Sequence, residues 1–81
     1  VILLAALAAA ATAPDVARLL ERREGCDHWA GEEPYDQARG REIAAALASL
    51  RCSAIERDEK RLRRKYARDA AALRLIDQAP D

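Results

Sequence analysis

The chain has 81 residues, as many acidic as basic side chains, two cysteines, one histidine and neither methionine nor phenylalanine. This is one small domain's worth of chain, which excludes a multidomain enzyme. Zero net charge excludes retention on nucleic acid by bulk electrostatics, and a composition that is 51% hydrophobic excludes a disordered tail. Twenty of those hydrophobic residues are alanine, which favours helices but buries little surface. The expected fold class is all-α: a small three-helix bundle or helical array with one disulfide, preceded by a signal-peptide-like helix.

Residues 1–13 are apolar apart from Thr12. As a helix this run would span about 20 Å, short of the roughly 30 Å hydrocarbon core of a bilayer. It therefore reads as a signal peptide h-region whose basic flank would lie upstream of Val1. Ala11-Thr12-Ala13 forms a small-residue cleavage site, with a cut after Ala11 as the neighbouring alternative. A retained membrane anchor and an alanine-rich core helix are the competing readings. Residues 14–81 are expected to form the domain, with periplasmic or secreted localisation.

The two cysteines agree with export. Cys26 and Cys52 form neither a C-x-x-C motif nor a C-x-x-C-H haem attachment, have no second pair to build a zinc site, and as an even pair behind a signal-like segment read as a disulfide. Only about fourteen large apolar side chains follow Pro14, a core size at which such a bond matters. Two free buried thiols are the alternative.

Three helical patterns follow. The first starts at Pro14, with Asp15 at its positive end, places Val16, Leu19, Leu20 and the stem of Arg23 on one face, and meets a stop signal at Gly25. A loop from Cys26 to Glu33 comes next. The second helix is expected from about Pro34 to Arg51, with Tyr35, Ile43, Leu47 and Leu50 at helical spacing and Gly40 as a weak point that could sit under Trp29. Ser53 and Glu56 make a capping box that opens the third helix. Its stripe, Ile55, Leu62, Tyr66, Leu73 and Ile76, covers about six turns, and Pro80 ends it. Glu56 with Lys60, Glu59 with Arg63 and Lys65 with Asp69 are opposite charges at i,i+4. The loop can extend to roughly 27 Å beside a second helix of some 25 Å, so Cys26 can reach Cys52. That geometry lays Trp29 across the bundle.

The least generic stretch is Gly25 to Asp36, which brings together His28, Trp29, Glu32, Glu33, Tyr35 and Asp36. As a candidate binding surface it offers two aromatic anchors beside carboxylates. Its plainer reading has Trp29 and Tyr35 plugging the core while the acids cap the second helix. A metal or small-ligand site would use His28 with Asp27, Glu32 or Asp36, but one histidine among carboxylates selects no ion, so no metal or cofactor is assigned. Catalysis finds no support: adjacent acids diverge, a disulfide removes the Cys26 thiol from His28, and no phosphate-binding glycine loop is present. The chain is therefore expected not to be an enzyme. A second candidate surface is the basic face Lys60, Arg61, Arg63, Arg64, Lys65 and Arg68. Its plainer reading is a solvated helix face; its sharper one is a site for an acidic protein or an anionic envelope surface.

Cys52, Asp58, Leu62 and Tyr66 carry a resemblance. A second cysteine followed by an aspartate, a leucine and a tyrosine at helical spacing resembles the LprI-like periplasmic lysozyme-inhibitor family. It covers the last third of the chain, and Arg63 stands where that family has an asparagine. The resemblance implies an envelope protein that binds another envelope or extracellular protein and inhibits a lysozyme-type hydrolase. No inhibitory residue carries over. The alternatives are a structural or membrane-tethered module and the metal or ligand binder at the Cys-Asp-His-Trp loop.

Overall fold

The computed structural model describes residues 12–78, all helix and connecting turns. The signal-peptide reading of residues 1–11 lies outside the described residues. In chain order the elements are α1 (Pro14–Ala30), α2 (Gln37–Ser49), a 3-10 turn (Cys52–Ala54), α3 (Ile55–Lys65) and α4 (Ala70–Asp77). The all-α class with one disulfide is as the sequence predicts, and among the described residues no helix is long and apolar enough to cross a membrane.

Helix α1 organises everything else. Pro14 occupies its first turn, where a missing N–H costs nothing, and the Ala13 carbonyl accepts the first helical bond from the Ala17 N–H at 2.9 Å. The helix runs through Gly25 rather than stopping there. Gly25 keeps right-handed backbone, and the absent side chain makes room for Leu50: a Cβ at Gly25 would stand 2.8 Å from a Leu50 methyl. The expected loop thus begins only at Gly31, and Cys26, His28 and Trp29 lie on the last two turns of α1.

The two halves of α1 carry different partners. Its N-terminal half supplies Val16 and Leu19, which with Leu62 of α3 and Ile76 of α4 form the buried core, flanked by Leu20, Ile55, Tyr66 and Leu75. Its C-terminal half packs on α2, whose one buried residue is Ile43. Among the described helices α2 rests on α1 alone, apart from the 3-10 turn that continues it, so the arrangement is an array rather than a closed bundle.

The predicted third helix is two helices. Asp69 leaves the helical register and caps α4, its carboxylate accepting from the Ala72 N–H at 3.0 Å, so it makes no i,i+4 pair with Lys65. Short polar side chains compete with the helix for backbone hydrogen bonds in this way. The capping box does not form either: Ser53 lies within the 3-10 turn, and the residue preceding α3 is Ala54, with no side-chain cap. The second helix begins three residues later than predicted, because Asp36 acts as its cap.

Candidate functional site

Cys26 and Cys52 are bonded, their Cα atoms 5.7 Å apart, and this staple joins α1 to the junction between α2 and α3. One turn before Cys26, on the same face of α1, Arg22 reaches the same junction. Its Nε donates to the Leu50 carbonyl at 2.8 Å, its Nη2 to the Arg51 carbonyl at 2.9 Å, and its Nη1 to Asp58 Oδ2 at 2.9 Å. One planar guanidinium therefore satisfies the carbonyls that end α2 and the carboxylate that opens α3. Arg51 is the one non-glycine residue with positive φ among those described, at 54°, and the guanidinium and the disulfide hold this left-handed turn from both sides. Asp58 is 2% exposed, and the Arg22 guanidinium holds its carboxyl below the usual range despite the opposing effect of burial.

Arg23 turns the other way. It donates to Glu59 of α3 and to the Ile76 carbonyl at 2.7 Å, near the end of α4. At the start of α1, Asp15 accepts from Lys65 Nζ at 2.6 Å and from the Tyr66 hydroxyl at 2.8 Å, which lowers its own pKa and raises that of both partners. The residues that carry the family resemblance thus hold α3 in place. Asp58 meets Arg22, Leu62 lies in the core, Tyr66 meets Asp15, and Cys52 forms the staple.

The predicted aromatic surface is assembled at the opposite end of α1. Trp29 is half-buried outside the core. The His28 ring meets it edge-on at 5.3 Å between centroids, and the Arg39 guanidinium from α2 lies 5.1 Å from its ring centre. Arg39 is fixed by Glu32 at 2.6 Å and Glu42 at 2.8 Å, and it draws the Glu32 carboxyl below its ordinary pKa. His28 Nε2 stands 3.8 Å from Glu32. Tyr35 is 80% exposed on the loop between α1 and α2, which overturns its placement as a core plug. Glu33 is exposed beside it. Asp36 is exposed and also caps α2, its carboxylate accepting from the Arg39 N–H at 2.8 Å. Gly40 faces Pro34, with Trp29 covered instead by the neighbouring arginine. Among the described residues no group of three or more His, Cys, Asp or Glu side chains is placed to hold a metal ion.

The basic face divides. Arg63 binds Glu59 and Asp77, and Lys65 binds Asp15, so both are structural. Arg61 lies 3.4 Å from Asp58. Lys60, Arg64 and Arg68 are exposed and, among the described residues, make no salt bridge; of the expected helical charge pairs only Glu59 with Arg63 forms.

Arg22 and Arg39 are the residues that sequence reasoning missed. Arginine on a helix reads as solvated surface, and only the neighbouring carbonyls and the indole ring give these two their roles. Comparison with known protein families, with curated proteins and with solved structures yields no match for the chain.

Proposed function

We propose that the chain is an exported, non-catalytic protein-binding module that docks through the end of α1 bearing His28 and Trp29 and the loop after it, which carries Glu32 and Tyr35. The observation that carries this reading is Tyr35, a large aromatic side chain left 80% exposed on the loop that follows the helix end bearing a tryptophan already held in place by His28 and Arg39. An aromatic anchor on a preorganised platform loses little freedom on binding, and Tyr and Trp are the residues most enriched where interfaces carry their energy. Export is supported by the disulfide, which persists in oxidising compartments, and by the apolar character of residues 1–13.

The resemblance at Cys52, Asp58, Leu62 and Tyr66 nominates a lysozyme-type hydrolase as the partner. The test is lytic activity of lysozyme titrated with the oxidised chain. Inhibition that saturates with added chain, and that weakens at least about tenfold in Tyr35→Ala while the melting temperature stays unchanged, is the expected result. Full lytic activity at a large molar excess removes this target.

A further inference from the structure

Helix α3 has two charged faces with different fates. Toward α1 it turns Asp58, Glu59, Leu62 and, at its C-cap, Tyr66, all buried or half-buried and all engaged with α1 or the core. At about 100° per residue, Arg57, Lys60, Arg61 and Arg64 fall on the opposite side, within an arc of roughly 100°. Arg68 follows in the turn after the helix, and all five are exposed. Glu56 borders the arc, and Asp69 follows it as the cap of α4.

One buried oxygen organises the start of this stripe. Asp58 Oδ2 accepts from Arg22, whereas Oδ1 is buried and accepts no hydrogen bond among the described residues. Arg57 Nε and Arg61 Nη1 stand 3.6 and 3.4 Å from Oδ1. Arg22 already meets the carboxylate's charge, so the pair keeps its excess of positive charge, and attraction to a single oxygen holds the two guanidinia side by side about one helical turn apart. A planar carboxylate matches one guanidinium fork; the oxygens of a tetrahedral phosphate can be shared between two.

The rest of the face narrows the form of the ligand. From Arg57 to Arg64 the helix presents four exposed cations in about 10 Å, roughly one per 3 Å of its length. A polymer with a phosphate at every link matches that density, whereas a sulfated glycan spaces its charges by whole sugar rings. Among the described residues the large apolar side chain left exposed is Tyr35, away on the loop between α1 and α2. The stripe therefore has no apolar centre for a protein interface, no aromatic platform for stacked bases and no apolar group to enter a bilayer. We infer that the Arg57-Lys60-Arg61-Arg64-Arg68 stripe is a docking surface for a linear polymer of phosphate groups, seated first on Arg57 and Arg61. It is separate from the surface proposed for protein binding.

The test is fluorescence anisotropy of end-labelled inorganic polyphosphate titrated with the full, oxidised 81-residue chain. Unlabelled polyphosphate should compete at least about tenfold better than equal charge supplied as polyglutamate, heparin, single-stranded DNA or phosphatidylglycerol vesicles. The logarithm of affinity should fall with the logarithm of salt at a slope of about −3 to −4, as five cations on a flexible polyanion require. Lys60→Gln/Arg64→Gln/Arg68→Gln should make that slope shallower by about 2. Arg57→Lys/Arg61→Lys keeps the charge and removes the forks, so it should leave the slope in place and weaken binding at least about fivefold. The smaller reversal Lys60→Glu/Arg64→Glu should abolish binding if the threefold variant melts early, and Tyr35→Ala should leave it unchanged. Absence of polyphosphate binding overturns the inference, as does binding that survives the threefold and reversal variants or is equally strong with the lysine pair. Any competitor that matches polyphosphate at equal charge overturns it too, and vesicles doing so would assign the stripe to a bilayer.

Discussion

Asp58 is the residue on which most of the electrostatics converges. A buried carboxylate is costly unless paired, and Arg22 makes the pairing while also serving two backbone carbonyls. The two single substitutions are therefore unequal. Asp58→Leu leaves one guanidinium still bonded to the Leu50 and Arg51 carbonyls, whereas Arg22→Leu strands those carbonyls together with a buried charge. Urea midpoints should fall in the order wild type, Asp58→Leu, Arg22→Leu, with the double variant more stable than the sum of the two losses implies. The pH dependence follows from the same contacts. Asp15, Glu32, Asp58 and Glu59 all have folded-state pKa values below their ordinary ones, chiefly through hydrogen bonds from Lys65, Arg39, Arg22 and Arg23 respectively. A lowered folded pKa gives stability that is present above the unfolded value and lost as pH falls through the folded one. Melting temperature should thus hold at neutral pH and drop below about pH 4, with a shallower drop in Asp58→Asn.

At the scale of helices, the sequence was legible where local chemistry acts alone and misleading where a distant partner intervenes. Pro14, Asp15 and the Val16-Leu19-Leu20 face were enough to place the start of α1 and its buried side. Gly25 looked like a stop because glycine often ends helices, yet it is there for Leu50, which lies 25 residues away. Asp69 reads as a charge partner of Lys65 at i,i+4, whereas its bond from the Ala72 N–H makes it a cap. Of the candidate binding residues, His28, Tyr35 and Asp36 are all exposed, and Asp36 also caps α2, which is the plainer role expected of the acids. The glycines separate these effects experimentally. A Cβ at Gly40 would meet only Pro34, at an ordinary 3.7 Å, so Gly40→Ala should stabilise by about 0.5 to 1 kcal/mol through helix propensity. Gly25→Val drives a branched side chain into Leu50 and should destabilise by about 2 kcal/mol. Thermal melts of the two variants should move in opposite directions.

For the molecule as a whole, the disulfide spans the point where α1 passes from one set of partners to the other. Its two cysteines are 26 residues apart, for which the chain-entropy model gives about 3.5 kcal/mol. Cys26→Ala/Cys52→Ala should lose about that much in denaturant unfolding. Because α2 rests on α1 alone among the helices, amide exchange in α2 should accelerate more than in α3.

The position of Arg22 has a redox consequence. By gathering the Leu50 and Arg51 carbonyls and Asp58 onto α1, it ties the junction that carries Cys52 to the helix that carries Cys26 through bonds other than the sulfur bond. In the reduced chain the same guanidinium sets the effective concentration at which one thiol meets the other. Linkage then requires that whatever raises this concentration also makes the bond harder to reduce. The arginine that closes a helix end is thereby a determinant of the thiol–disulfide equilibrium, and the chain would retain its staple in milder oxidants than its loop length alone would allow.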